Sequence, residues 1–417
     1  MRFLLLNQFY PPDPAPTGWY LHGLARELVR RGHSAKVISS HRSYDGSHSY
    51  PARENLDGVE IVRLPATGFG RRGFVGKMAD YISFYVSLAI ALLLERTTPD
   101  LILSLTTPPY IGLLGKIAAG KLRCRHAHWI MDVYPDVMHA HKIARHDGLL
   151  VRLLRTLTRF QLRGAEAVLT LGPTMAQRVA VYTESPQVIS AIPLWSDPHL
   201  LQQHDVKRHT LRAARGWAST DVVFLYSGNM GLGHRFAEFL EAARRIGAGG
   251  PRWIFSGGGK RRTEIENFAR SHPLAAIEFL GYSPQSQLRN HLQAADVHLA
   301  SLDSAWQGLM VPSKVQGSFA SARPVLFVGG RQCETAAWIA ESGGGWIVDQ
   351  DDIDGLLEAI AQAMDPDECQ RRGQAAFNFA QKNFNLTDNC AQIAQLLEGS
   401  AAHSQLNLEC STALINT

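Results

Sequence analysis

The chain has 417 residues, of which 45% are hydrophobic and 19% charged, with a formal net charge of +5. That is enough length for two or three packed domains and an ordinary globular-enzyme composition. The charge is uneven. Residues 1–200 carry 23 Lys and Arg against 15 Asp and Glu, and the remainder 19 against 22, so only the first half has reason to seek an anionic surface. Cys124, Cys333, Cys369, Cys390 and Cys410 are scattered with no C-x-x-C pair, which reads as reduced thiols in a cytosolic protein. The opening MRFLLLNQFYPP lacks the pattern of a signal peptide. The longest apolar run, Ile82 to Leu94, has 13 residues, and at that length it is expected not to span a bilayer.

In chain order, Arg2 to Asn7 reads as a buried strand. Phe9 to Gly18 holds Pro11, Pro12, Pro14 and Pro16 and reads as a loop. Trp19 to Arg31 places Leu21, Leu24, Ala25 and Leu28 on one helical face, with Gly32 as its stop. Lys36 to Ser40 is the next strand. Strand, loop, helix, strand opens a doubly wound sheet, whose ligands lie at the carboxyl ends of the strands. Thr17 and Gly18 therefore fall in a crevice, where Gly18 offers close backbone approach or serves the turn alone. Tyr81 to Leu94 reads as an apolar helix, and Pro99 to Leu105 and His128 to Met131 as strands. Asp132 then stands at a strand exit facing the cleft.

His139 to Arg163 is a basic amphipathic pattern. Arg152, Arg155, Arg159 and Arg163 recur at spacings of three and four, with Leu150, Leu153, Leu154, Leu157 and Phe160 opposite. With GRRGFVGK (Gly70 to Lys77) it reads as a surface for anionic membranes, against the plainer reading of a solvated helix on the sheet. Ala167 to Leu171 and Gln187 to Ile192 are strands, and IPLWSDP reads as the link between domains. A polar helical stretch, LQQHDVKRHTLRAARGW, follows.

The second half repeats βα units. Val222 to Tyr226 runs into SGNMGLGH and a helix from Phe236 to Ile246. Trp253 to Ser256 runs into GGGKRR and a helix from Thr263. Ala276 to Leu280 runs into GYSP and a helix from Gln287 to Ala294. Strand, glycine-rich turn, helix brings backbone N–H groups onto a phosphate. Asp296 to Ser301 leads into WQGLMVPSKVQGSFASARPVLFVGG. There Ser313 reads as an N-cap, Gln316 as its capping-box partner and Lys314 as a cation at a helix start. Val325 to Val328 is a buried strand. Helix, strand and helix alternate over 335–365, and Glu368 to Leu397 is mostly helical before a polar tail from Ser400.

Taken together, NQFYPPDPAPTG, RRGH, WIMDVYPD, LGPTM, YSGNMG, FSGGGK, FLGY and VPSKVQGSFASARPVLFVGG resemble the GT4 family of retaining glycosyltransferases over nearly the whole length. The resemblance is strongest to the branch that builds colanic acid, O-antigens and similar bacterial polysaccharides. It implies a GT-B fold, α/β, with two Rossmann-like doubly wound domains facing across a cleft. The implied boundaries are 1–195 for the acceptor domain, 196–382 for the nucleotide-sugar domain, 383–399 for a helix crossing back and 400–417 for a tail.

The resemblance also implies a donor site on Gly228, Asn229, Gly231, Gly257, Lys260, Tyr282, Pro312, Ser313, Lys314 and Gln316. An acceptor or phosphate loop would hold Thr17 and Gly18. Asp132 would orient the acceptor hydroxyl and Lys314 would stabilise the leaving diphosphate. Three places depart from the family pattern. Leu309 and Gly317 replace two glutamates, Asn229 and His234 replace an Arg and a Lys, and Asp132 stands near the place of a His. The expected reaction moves a sugar from a UDP- or GDP-linked donor to a glycan acceptor, lipid-linked, with retention, on the cytoplasmic face of the cell membrane. No metal or other cofactor and no nucleic acid is expected, and the acidic run Asp349, Asp351, Asp352, Asp354 reads as a solvated helix start. A nucleotide-sugar 2-epimerase of the same fold would need acid–base carboxylates and histidines in the cleft. A catalytically silent scaffold would fit the missing glutamates. The basic residues follow no nucleic-acid motif.

Overall fold

The computed structural model describes residues 1–70, 73–141, 148–201 and 210–399. The expected patch and helices that include residues 71–72, 142–147 and 202–209 fall partly outside these, and the tail with Cys410 falls wholly outside.

The first half forms β1 (Arg2–Leu6), α1 (Pro16–Arg30), β2 (Ser34–Ser40), β3 (Arg53–Leu56), β4 (Val59–Leu64), α2 (Gly73–Leu94) and β5 (Leu101–Ser104). It continues through α3 (Ile111–Leu122), β6 (Arg125–Trp129), α4 (Asp136–Ala140), α5 (Leu149–Leu162), β7 (Ala167–Thr170), α6 (Pro173–Ala180) and β8 (Ile189–Ala191). Its eight-stranded sheet runs β3-β4-β2-β1-β5-β6-β7-β8, and only the edge strand β3 is antiparallel to its neighbour. The inner strands are buried on both faces, which is why β1 and β5 read as unbroken apolar runs.

The second half forms α7 (Thr210–Arg215), β9 (Val223–Ser227), α8 (Ala237–Ile246), β10 (Arg252–Ser256), α9 (Arg262–Ser271), β11 (Ile277–Leu280), α10 (Leu288–Gln293), β12 (Val297–Leu302), α11 (Lys314–Ala320), β13 (Val325–Gly329), α12 (Glu334–Ser342) and β14 (Gly345–Val348). Three helices follow: α13 (Ile353–Ala363), α14 (Pro366–Asn383) and α15 (Leu386–Glu398). The six strands are parallel in the order β11-β10-β9-β12-β13-β14. Two doubly wound sheets are thus present, as the βα alternation implies. The last described helix, α15, packs on α1, and Glu398 receives Arg31 and His33, each at 2.7 Å.

Several expectations are corrected. The β3–β4 hairpin and α3 were not read from the sequence, the hairpin because RENL and VEIVRL are short and polar on one face. Helix α1 starts at Pro16, because Pro suits a first helical position and the Asp13 carboxylate accepts from the Ala15 N–H at 2.8 Å. Thr17 and Gly18 are therefore in a helix, not a loop. The 13-residue apolar run belongs to a longer helix: Val75–Leu94 is long and apolar enough, by length and composition, to cross a membrane. One face of it, Phe84, Leu88 and Leu92, packs into the core of the first sheet. In α5 Leu162 packs inward, Leu154 and Leu157 are half-buried, and the remaining leucines face outward. The packed residues are Val151, Thr158, Gln161 and Leu162, while Leu149, Leu150, Leu153 and Phe160 are exposed beside Arg152 and Arg159.

Candidate active site

Two glycine turns of the second sheet pack backbone against backbone. A Cβ on Gly257 would fall 2.2 Å from the Gly228 carbonyl oxygen, and Gly257 and Gly228 have φ of +115° and +133°. Only glycine fits there at low cost. The turns are tied by the Met230 N–H donating to Gly258 O at 2.6 Å and the Arg261 N–H to Met230 O at 3.0 Å. Tyr282, itself exposed, covers them: a Cβ on Gly258 would lie 3.4 Å from its ring. The turn from Gly228 to Gly231 carries four backbone N–H groups. Two are already used, since Gly228 N–H donates to Ser256 O at 3.0 Å and Met230 N–H to Gly258. Those of Asn229 and Gly231 have no bond among the described residues.

Lys314 begins α11 and enters the same place. Its Nζ donates to Tyr226 Oη at 2.8 Å, stands 3.2 Å from His234 Nε2, and lies 4.2 Å from the centroid of the Tyr226 ring. Burial pulls its ammonium down to about 7. Lys260 is exposed at the second glycine turn. Pro312 is buried and Ser313 exposed. The capping box is not formed. Ser313 has helical φ and ψ and makes no side-chain cap bond, and Gln316 turns inward, where its buried Oε1 has no hydrogen-bond partner among the described residues. An N-cap needs extended φ and ψ to aim its oxygen at the first turn, and Ser313 lacks them.

Across the cleft, Asp132 follows β6 and is partly exposed. Desolvation pushes its carboxyl up to about 6, and Lys77 of α2 opposes this. Burial, Asp132 and the neighbouring Tyr81, Tyr85 and Tyr110 all raise the Tyr134 phenol. Tyr134, whose ring meets that of Tyr110 at 6.0 Å, thus stands near this carboxylate and offers an aromatic surface suited to sugar rings. The ring of His141 senses both Lys260 and Lys77, so the cations of the two halves converge on one cleft. The expected crevice glycine has a different use. A Cβ on Gly18 would lie 2.9 Å from Phe9 O and 3.0 Å from Tyr10 Cα, so it lets α1 lie against its own loop. Thr17 Oγ1 accepts from Asn7 Nδ2 at 3.3 Å.

The halves are joined at the cleft floor. Val133 N–H donates to Leu309 O at 3.1 Å, Glu334 Oε1 accepts from Met175 N–H at 2.8 Å, and the rings of His141 and Trp306 meet at 4.5 Å. Leu309, at the place of a family glutamate, is buried in this contact. Tyr226, Lys77 and Glu334 were missed as site residues. Tyr226 reads only as strand, Lys77 as patch, and nothing in sequence ties Glu334 to Met175. The four aspartates near α13 serve as expected for a solvated start. Asp352 caps Gly355 N–H at 2.9 Å, and Asp349, Asp351 and Asp354 pair with Arg331, Arg235 and Arg245. Among the described residues no group of His, Cys, Asp and Glu is arranged to hold a metal ion.

A cleft between two parallel α/β sheets, glycine turns and a lysine on one wall, a carboxylate on the other, defines a GT-B enzyme. Residues 17–195 match the glycosyl transferase 4-like domain and residues 221–365 the glycosyl transferases group 1. A Pseudomonas aeruginosa protein described as a glycosyltransferase, WbjE, is 24% identical, covering 88% of this chain and 90% of its own. An Escherichia coli (strain K12) protein described as a colanic acid biosynthesis glycosyl transferase, WcaI, is 22% identical, covering 87% and 92%. Among solved structures, sucrose-phosphate synthase from Thermosynechococcus elongatus superposes with a TM-score of 0.73 at 17% identity, covering 96% of this chain and 99% of that one. Anabaena HepE in complex with UDP-glucose gives 0.68 at 16% identity, covering 96% and 100%. The chain belongs to the GT4 family of GT-B glycosyltransferases.

Proposed function

We propose that this enzyme moves a sugar from a UDP- or GDP-linked donor to a lipid-carried glycan, with retention, during bacterial surface polysaccharide assembly. The observation that carries the reading is Lys314 held beside two interlocked glycine turns. An ammonium beside backbone N–H groups that have no partner among the described residues favours charge growing on a departing diphosphate. In the step, the bond from the sugar C1 to the phosphate oxygen breaks and its electrons stay on that oxygen. The acceptor hydroxyl forms the new bond to C1 on the same face and passes its proton to the leaving phosphate. Asp132 and the tyrosines beside it would orient the acceptor. No bound metal is needed for this chemistry, because cations and N–H groups take the charge.

Further support comes from the relatives. WcaI is described as a colanic acid biosynthesis enzyme, and HepE is seen with UDP-glucose. The lipid-linked acceptor is supported by α2. Its outer face leaves Ile82, Val86, Ile90 and Leu94 exposed, the last at 71%, while its start brings Lys77 to Asp132. Apolar side chains beside the exposed Arg152 and Arg159 of α5 suit an anionic bilayer surface, so we place the enzyme on the cytoplasmic face of the cell membrane. A melting-temperature screen of UDP- and GDP-sugars tests the donor. Proton NMR of the product tests retention. A screen in which no nucleotide-sugar raises the melting temperature would sink the reading, as would an inverted anomeric centre for its stereochemical part.

A further inference from the structure

Three elements meet at Lys314. His234, in the turn after β9, faces its Nζ through Nε2 at 3.2 Å. An ammonium only donates, so that nitrogen presents a lone pair. On the other side, His234 Nδ1 lies 2.6 Å from Ser301 O. A carbonyl only accepts, so Nδ1 carries the hydrogen. Both neighbours demand the same neutral tautomer, and an imidazolium would point a proton at the ammonium. Burial, Lys314 and Arg261 hold the imidazole down to about 3, against the opposing bond to Ser301, and the ring is only 5% exposed. Tyr226 Oη donates its own hydrogen to Asn229 O at 2.9 Å, so it too turns a lone pair to Lys314. The other charged or titratable groups near this pair are Arg261, whose guanidinium binds His234 O, Tyr282 over the turn and the exposed Lys260. Among the described residues no carboxylate pairs with Lys314.

Resting on the donor reading above, we propose that His234 is the positioning residue of Lys314. Its Nε2 and the Tyr226 oxygen take two of the three ammonium N–H bonds and leave the third for a diphosphate oxygen. A second cation at position 234 would repel Lys314 in a dry site. A neutral acceptor fixes it instead, and the site carries an uncompensated positive charge until the anion arrives. Diphosphate binding should therefore take up a proton at a pH above the empty-site value of Lys314, and affinity should fall as pH rises.

The test uses UDP and GDP as probes, titrated calorimetrically across pH and in buffers of different ionisation enthalpy. His234→Asn keeps a donor for Ser301 O but cannot reach Lys314, and His234→Gln can reach it. H234N is expected to lose roughly 10-fold or more in affinity, as for one charge-assisted bond, with H234Q restoring most of it. In H234N the alkaline fall in affinity should also move to lower pH, which a merely structural role would not produce. If H234N does not fold, Tyr226→Phe removes the other acceptor and should shift the same limb. Unchanged affinity and an unmoved limb in H234N, or in Y226F in its place, would overturn the proposal. Failure of wild type to bind either nucleotide would instead bring down the donor reading, and this inference with it.

Discussion

Glu334, in the second half of the chain, accepts from the backbone N–H of Met175 in the first half at 2.8 Å. The carboxylate lies at the start of α6, where helix N–H groups lack internal partners, and it is 1% exposed. A Cβ on Gly172 would fall 2.2 Å from Glu334 Cγ, so the first half also makes room for it. With the Val133–Leu309 and His141–Trp306 contacts, this side chain holds the two halves against each other.

Removing it should loosen the halves. Glu334→Ala leaves an N–H unpaired and is expected to cost about 1–3 kcal/mol, with a lower melting temperature, while Glu334→Gln retains an acceptor and costs less. Burial raises the folded pKa above the ordinary 4.5. The stability from keeping the proton is therefore complete below that value and is lost as pH rises through the raised one. Melting curves of E334Q and wild type should then differ in pH slope, and parallel slopes would contradict the assignment.

Lys314→Ala should reduce kcat by roughly 10² to 10³, about 3–4 kcal/mol, as for loss of one oxyanion donor. The fold should survive, since Lys314 is a half-buried helix start. Turnover within a few-fold of wild type in steady-state assays would refute its role.

The free enzyme should give a bell-shaped dependence of kcat/KM on pH. The acid limb belongs to Asp132, raised to about 6, and the alkaline limb to Lys314, lowered to about 7. Activity rises as Asp132 ionises and falls as Lys314 deprotonates. Asp132→Asn should abolish the acid limb while leaving the alkaline one. Survival of the acid limb in D132N would assign it elsewhere.

Binding to anionic liposomes should weaken as salt rises, because surface attraction is screened over about a Debye length. Charge reversal at Arg152 and Arg159 should weaken it. Arg155 is a poor probe, because it turns toward Asp136 at 4.0 Å. Ile82→Glu with Val86→Glu on the exposed stripe should abolish sedimentation and leave donor binding intact. Equal binding to neutral and anionic vesicles would remove the electrostatic part.

The second sheet was legible in the sequence because glycine turns and apolar strands alternate at regular spacing, the first only without its β3–β4 hairpin, and the motifs placed Lys314 and the glycine turns together. The contacts that decide their roles were not legible. Whether Gly228 N–H is free depends on Ser256, 28 positions along the chain (256 − 228). Whether Gln316 caps a helix depends on the φ and ψ of Ser313. The periodicity of α5 marks an apolar face without saying which way it turns, so the sequence left a membrane surface and packing on the sheet both open. Asp132 was found from its strand exit, but the tyrosines grouped around its neighbour Tyr134 come from other segments, α2 and the turn before α3.

The ion pairs from Arg31 and His33 to Glu398 have a consequence for synthesis. The first sheet can assemble as soon as β8 leaves the ribosome, yet the outer face of α1 waits for α15, the last described helix. Until then Ile393, Ala394 and Leu397, all fully buried in the finished protein, are missing from that surface. The nascent first half must therefore persist with an uncovered apolar face throughout translation of the second half, and a chain stopped before Leu386 keeps that face permanently.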